Sequence, residues 1–255
     1  MVQAAREAGE FILRESEGFD INRAEKKGLH DLVSYVDKGS EEMLVRKLGS
    51  ILPEAGFNTE EGTSSKQGVK YCWVVDPLDG TTNFIHGVHP YAISIGLLED
   101  NEPVAGVVYE VNGNEIFKAW RNGGAWLNDQ PIHVSGAARL SDSLVATGFP
   151  YNDFERLDKF MECLKHFCKT THGIRRLGSA AIDMAYVACG RFETFYEYGL
   201  HPWDIAAAIV LVREAGGRVS DFSGNERNLS GEEVIAANGL LFPGFLEIVS
   251  KFMHK

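Results

Sequence analysis

Trp73-Val74-Val75-Asp76-Pro77-Leu78-Asp79-Gly80-Thr81-Thr82-Asn83-Phe84 is the stretch around which this 255-residue chain is organised. Its apolar opening, β-branched and aromatic, predicts a buried strand that ends in the carboxylate of Asp76. Pro77 fixes φ and lacks a backbone donor, so the ladder is expected to stop there. Asp79 follows three residues after Asp76, and Gly80 permits a sharp turn and a close approach of backbone to ligand. Thr81 and Thr82 add hydroxyls and free amides where a helix or turn can begin. A plain tight turn explains any one of these dipeptides, because Asp, Pro, Gly and Thr are turn formers. It does not require two carboxylates, two threonines and a strand buried up to the first acid. Two acids beside unpaired N–H groups suit a hard cation that grips a phosphate.

The composition narrows the partners. Hydrophobic content of 44% and charged content of 24% are ordinary for a globular protein. The net charge of −11 argues against nucleic acid as substrate and against an anionic membrane. An acidic protein also repels a phosphate ester unless bound cations reverse the local field. Cys72, Cys163, Cys168 and Cys189 form no C-x-x-C pair, which predicts reduced thiols and a cytoplasmic setting. Arg6, Glu7 and Glu10 interrupt any apolar leader, and no apolar run approaches the length of a membrane span.

The central run, D-P-L-D-G-T-T-N-F, resembles the signature of the inositol monophosphatase family, magnesium-dependent and lithium-inhibited phosphomonoesterases. The resemblance covers nearly the whole chain, from the first helix to Val234-Ile235-Ala236-Ala237-Asn238. It implies a mixed α/β fold in five layers, an α-β-α-β-α sandwich of the inositol monophosphatase and fructose-1,6-bisphosphatase type. Residues 1–255 then form one phosphatase unit, with a metal-site half (about 1–135) carrying an antiparallel sheet and a second α/β half (about 136–255).

Further carboxylates fall where that family places them. Asp37 follows Ser34-Tyr35-Val36 near the start of a helix, where a cap or the helix dipole explains it. The family carries T-x-x-D here, with Ser34 in place of that threonine in this chain, and the family's Asp backs a second threonine, the one that orients the attacking water. Glu60-Glu61 reads as a solvated loop on composition, but the family's G-E-E makes the first glutamate a metal ligand, with Thr59 replacing the glycine. Asp204 reads by itself as the N-cap of a helix from Ile205 to Glu214, whereas the family's W-D pair delivers the last metal carboxylate. Glu197 alone reads as a solvent-facing strand carboxylate between two tyrosines; in the family a glutamate at this offset accepts a hydrogen bond from a substrate hydroxyl.

The remaining chain supplies scaffold. Residues 2–15 read as an amphipathic helix, Lys26-Lys27-Gly28 as a basic loop, and Thr63 to Lys70 as a mobile loop. Successive strands from Ala92 to Trp120 form an antiparallel meander broken at Asp100-Asn101 and Asn112-Gly113-Asn114. His86 and His89 lack a third nitrogen or sulfur ligand and read as rim residues. A helix capped by Ser179 and stopped by Gly190 follows Leu177-Gly178, and its free amides suit an anion or a substrate hydroxyl as well as an ordinary core helix. The end of the chain, Phe245–His254, reads as a terminal helix.

Taken together, the resemblance implies hydrolysis of a phosphate monoester, foremost myo-inositol monophosphate or a related polyol phosphate, by a water that magnesium activates. Two or three Mg2+ ions are held by Glu60, Asp76, the Leu78 carbonyl, Asp79 and Asp204, with Li+ as inhibitor. Thr81, Asp37 and Glu60 serve catalysis. Gly80, Thr81, Gly178, Ser179, Ala180, Glu197 and Asp204 bind substrate, and a homodimer is expected. No G-x-S-x-G elbow, C-x5-R loop or G-K-[ST] run offers a covalent or nucleotide alternative. Fructose bisphosphate, histidinol phosphate and nucleotide 3′-phosphate remain as other substrates of the superfamily, and a regulatory protein on the same scaffold as another role.

Overall fold

The computed structural model describes residues 1–20, 25–26, 32–151, 153–227 and 229–253. The expected loop residues Lys27 and Gly28, and the terminal His254, lie outside the described residues.

The helices are α1 (Val2–Ser16), α2 (Tyr35–Ile51), α3 (Thr81–Ile85), α4 (Leu157–Thr170), α5 (Ala180–Ala188), α6 (Pro202–Glu214) and α7 (Phe242–Met253). Strands β1 (Glu25–Lys26) and β2 (Leu32–Val33) form a small antiparallel pair. A sheet in chain order follows: β3 (Gly56–Thr59), β4 (Tyr71–Asp79), β5 (Ala92–Glu99), β6 (Glu102–Glu110), β7 (Glu115–Trp120), β8 (Ala125–Leu127) and β9 (Gln130–Ile132). Only its β3–β4 pair is parallel. The second sheet joins β10 (Leu144–Thr147), β11 (Gly173–Arg175), β12 (Thr194–Tyr198), β13 (Gly217–Ser220) and β14 (Glu233–Asn238) in the order β11-β10-β12-β14-β13.

Helices α1 and α2 cover the outer face of the first sheet, α5 and α6 lie between the sheets, and α4 and α7 cover the outer face of the second. This is the expected α-β-α-β-α layering. Its middle layer is apolar all round: every residue of α6 from Ile205 to Val212 is buried. A helix of that kind must be covered on both sides. It lies close because Gly96 and Gly106 face it; a Cβ on Gly96 would come within 2.9 Å of the Ala206 Cβ, and one on Gly106 would collide with the Ala207 carbonyl.

Three local expectations change. Strand β4 does not stop at Asp76 but runs on to Asp79 through an irregularity. Asp76 pairs with Ser94 and Asp79 with Ala92, three steps on β4 against two on β5. Pro77 therefore produces a bulge rather than an end. In a regular strand, residues three apart point to opposite faces; one extra residue brings Asp79 round to the side of Asp76. Asp204 is not the N-cap of its helix: α6 begins at Pro202, His201 is the cap, and Asp204 sits at the third helical position. Proline is well suited to a first turn, which needs no donor there. Glu197 does not face solvent. It is 6% exposed, on a strand buried at every residue.

Candidate active site

Helix α2 supports the site with one stripe. Asp37, Ser40, Glu41, Leu44 and Leu48 are all buried, at the spacing of a single helical face. The two leucines enter the core, while the three polar residues each hold a different segment. Ser40 Oγ donates to the Pro77 carbonyl at 3.0 Å, pinning the bulge. Glu41 accepts from Glu61 N at 2.7 Å, from Thr63 N at 2.8 Å and from Thr63 Oγ1 at 2.7 Å, fixing the turn after Glu60. Asp37 Oδ2 accepts from Ser34 N and Oγ at 2.8 and 2.6 Å, closing a capping box, while its Oδ1 accepts from Thr81 Oγ1 at 2.8 Å. The cap and the contact with Thr81 are one carboxylate doing two jobs, one per oxygen. Serine suffices for the first.

Thr81 Oγ1 also lies 2.9 Å from the Leu78 carbonyl. A hydroxyl has a single proton, so Asp37 and Leu78 compete for it. Burial pushes the Asp37 carboxyl up, opposed by its bonds from Ser34 and Thr81.

Gly80 turns the chain between the bulge and α3 in the left-handed region, at φ +95°. A Cβ there would press on the carbonyls of Gly178 and Pro90 at 3.2 and 3.3 Å. Glu60 is held next to β4 because strand β3 pairs through Thr59 with Val75, and Glu60 N donates to the Val75 carbonyl at 3.2 Å. Thr59 is ordinary strand here, so the position needs no glycine.

Asp76, Asp79 and Asp204 come together, with one oxygen of each within 4.8 Å of the others. The elements that bring them are separately anchored. Asp76 Oδ1 accepts from Leu78 N at 2.9 Å. Asp79 Oδ2 accepts from Ser179 Oγ at 2.7 Å and Ala181 N at 2.8 Å. Asp204 Oδ2 accepts from His201 N at 2.7 Å, and Ser94 Oγ donates to the Trp203 carbonyl at 3.0 Å, fixing α6 to β5. Burial, then the neighbouring Glu60, Asp79 and Asp204, pushes Asp76 well above the usual carboxylate range. Burial and then Asp79 do the same to Asp204. Burial also raises Asp79, to about 6, against the bonds from Ser179 and Ala181.

Two unit charges 4.8 Å apart repel by about 3 kcal/mol in a partly screened site, so three ionised acids cost about 10 kcal/mol. That rivals the whole stability of an ordinary domain. The cluster must hold protons or a cation. Its donors are all oxygen, which suits magnesium rather than zinc.

One cavity is lined by Glu60, Asp76, Leu78, Asp79, Gly80, Thr81, Gly178, Ser179, Ala180, Glu197 and Asp204, so every expected site residue except Asp37 borders it. Asp37 lies beneath Thr81. Sequence reading missed Tyr151, Arg176 and Asp183 in the same lining, and Ser40, Glu41 and Ser94 in its support. The signal for Asp183 was present: it is the only charged residue of the otherwise apolar α5. His86 and His89 are exposed and belong to no metal-competent cluster among the described residues.

The layered fold and the carboxylate cluster at a strand bulge define a class of α/β proteins with an acidic, metal-competent centre. The chain belongs to the inositol monophosphatase family, whose model matches residues 1–254. It is 41% identical over 253 residues to the Nus factor SuhB of Pseudomonas aeruginosa, covering 97% of this chain and 93% of that one. It is 40% identical over 252 residues to the inositol-1-monophosphatase of Mesorhizobium japonicum, covering 98% and 95%. Among solved structures, the extragenic suppressor protein suhB of Bartonella henselae superposes with a TM-score of 0.92 at 37% identity, covering 98% and 97%. The IMPase of Thermotoga maritima gives 0.89 at 34% identity, covering 98% and 95%. No helix among the described residues is long and apolar enough to cross a membrane.

Proposed function

We propose that this protein hydrolyses a phosphate monoester, myo-inositol monophosphate or a related polyol phosphate, by direct attack of water. The observation that carries this reading is the all-oxygen cluster of buried Asp76 and half-buried Asp79 and Asp204 in the cavity that Glu197 also lines. Glu60, Asp76, the Leu78 carbonyl, Asp79 and Asp204 would hold the two or three magnesium ions. Bound magnesium supplies positive charge toward the phosphoryl oxygens and toward water, and lithium inhibits. Thr81 Oγ1 donates a hydrogen bond to Asp37 Oδ1, which leaves its lone pairs to accept from and orient the attacking water. The Gly80 and Thr81 amides, with Gly178, Ser179 and Ala180, hold the ester, and Glu197 accepts from a substrate hydroxyl.

The chain is read as one unit because α6 packs on both sheets. The four free cysteines and the bacterial relatives support a cytoplasmic setting, and membership of the family supports a homodimer. Relatives named as Nus factors favour a second reading, a regulatory role on the same scaffold. A purely regulatory chain has no need of the intact acid cluster, so the enzyme is the first reading.

The test is phosphate release with magnesium across inositol monophosphate, fructose 1,6-bisphosphate, histidinol phosphate and a nucleotide 3′-phosphate. The highest kcat/KM is expected on inositol monophosphate. Hydrolysis of none of these esters would leave the regulatory reading standing.

A further inference from the structure

Asp183 stands in the cavity without an assigned purpose. It is 1% exposed, it sits in the first turn of α5, and it lines the cavity that holds the three-acid cluster. Its Oδ1 is fully buried and has no hydrogen-bond partner. It is the only such carboxylate oxygen among the described residues. A buried acceptor left unpaired is costly, and native proteins pair nearly all of them with protein, water or ligand. Core packing does not ask for an acid here either, since α5 is apolar at every other position.

The surroundings indicate what the missing partner is. The charges of Glu197 and Asp79 act on Asp183, Arg176 is the cation that offsets them, and all four residues line the cavity. Arg176 is itself held at the cavity by a 2.6 Å bond from its Nη2 to the Tyr151 hydroxyl, and its buried Nε has no partner. A carboxylate with an orphaned acceptor and a guanidinium with an orphaned donor therefore line one cavity. A second phosphate would be repelled by Asp183 and Glu197, and an apolar group would leave both orphans unpaired. A hydroxyl both donates and accepts, so a polyol satisfies them.

We infer that Asp183 is a specificity-determining residue, accepting a hydrogen bond from a hydroxyl of the polyol phosphate other than the one read by Glu197. This rests on the phosphomonoesterase reading above. It adds a second point of contact, which fixes the rotation of a ring that a single hydrogen bond leaves free.

The experiment compares wild type with Asp183→Ala and Asp183→Asn on three substrates: myo-inositol 1-phosphate, its monodeoxy analogues, and p-nitrophenyl phosphate, which has no hydroxyls. The ratio of kcat/KM for inositol phosphate to that for p-nitrophenyl phosphate is expected to fall about tenfold or more in Asp183→Ala, through KM, and less in Asp183→Asn. On the one deoxy analogue that lacks the hydroxyl read by Asp183, the penalty disappears. The thermal midpoint of Asp183→Ala stays level or rises, because an unpaired buried acid has been removed. An equal loss on both phosphates, a lowered midpoint, or a penalty that persists on every deoxy analogue would each overturn the inference and leave the phosphatase reading intact. A wild-type enzyme that hydrolyses no monoester with magnesium overturns both.

Discussion

Ser179 Oγ donates to Asp79 Oδ2 at 2.7 Å, across 100 residues of sequence. The same hydroxyl accepts from Ile182 N at 3.3 Å and so caps α5. The bond ties the bulge of the first sheet to the middle helical layer, and it orients the acid that Pro77 and the extra residue have turned inward. Ser179→Ala should weaken magnesium binding about tenfold, the lower end for a lost outer contact, because Ala181 N still holds Asp79. The lost cap should lower the thermal midpoint by about 2–4 °C. Calorimetric titration and a melt measure the two effects; unchanged magnesium affinity would detach Ser179 from the metal centre.

Asp79 and Thr81 have separable roles. Asp79→Asn removes a charge with little change of shape and should weaken magnesium binding and turnover together. Thr81→Ala removes only the hydroxyl above Asp37 and should lower kcat about a hundredfold while magnesium affinity is retained. Parallel magnesium titrations and turnover assays distinguish them. Loss of metal binding in Thr81→Ala but not in Asp79→Asn would reverse the assignment.

Much of this was legible in the sequence. The paired acids, the glycine turn and the strand before them stood in one run, and the meander of β5 to β7 followed from alternation and turn residues. Asp100 and Asn101, both with positive φ, turn the hairpin where asparagine and aspartate were expected to. What could not be read was direction. Pro77 signals a broken ladder whether the strand ends or bulges, and only pairing with β5 decides. Glu41 sits beside the exposed Glu42 and looks no different from it, until the helix turns one inward to the 61–63 turn and the other to solvent. Arg176 and Tyr151 stand 25 positions apart and meet only in the folded chain.

Acidity should govern metal binding in a definite sense. Asp79 is raised to about 6, and Asp76 and Asp204 are raised well above the usual range. The metal-free folded state thus holds protons that the unfolded chain has released. Their contribution to stability is present below the unfolded pKa values and is lost as pH rises through the folded ones. Magnesium replaces those protons. The rise in thermal midpoint on adding magnesium should therefore be larger at about pH 8 than at about pH 5.5. An equal rise at both would mean that magnesium binds away from these acids.

Glu197 should govern selectivity. Glu197→Gln keeps the shape of a buried strand residue but weakens its acceptor, so the ratio of kcat/KM on inositol phosphate to that on p-nitrophenyl phosphate should fall about tenfold. Equal losses on both substrates would assign Glu197 to the support of the cluster instead.

The central claim is that the three clustered carboxylates act through a bound cation, and phosphate release from myo-inositol 1-phosphate tests it directly. Protein stripped with EDTA should release no phosphate above the uncatalysed background; magnesium should restore turnover, and lithium added with it should depress turnover. Full activity in EDTA-treated, metal-free buffer would contradict the account.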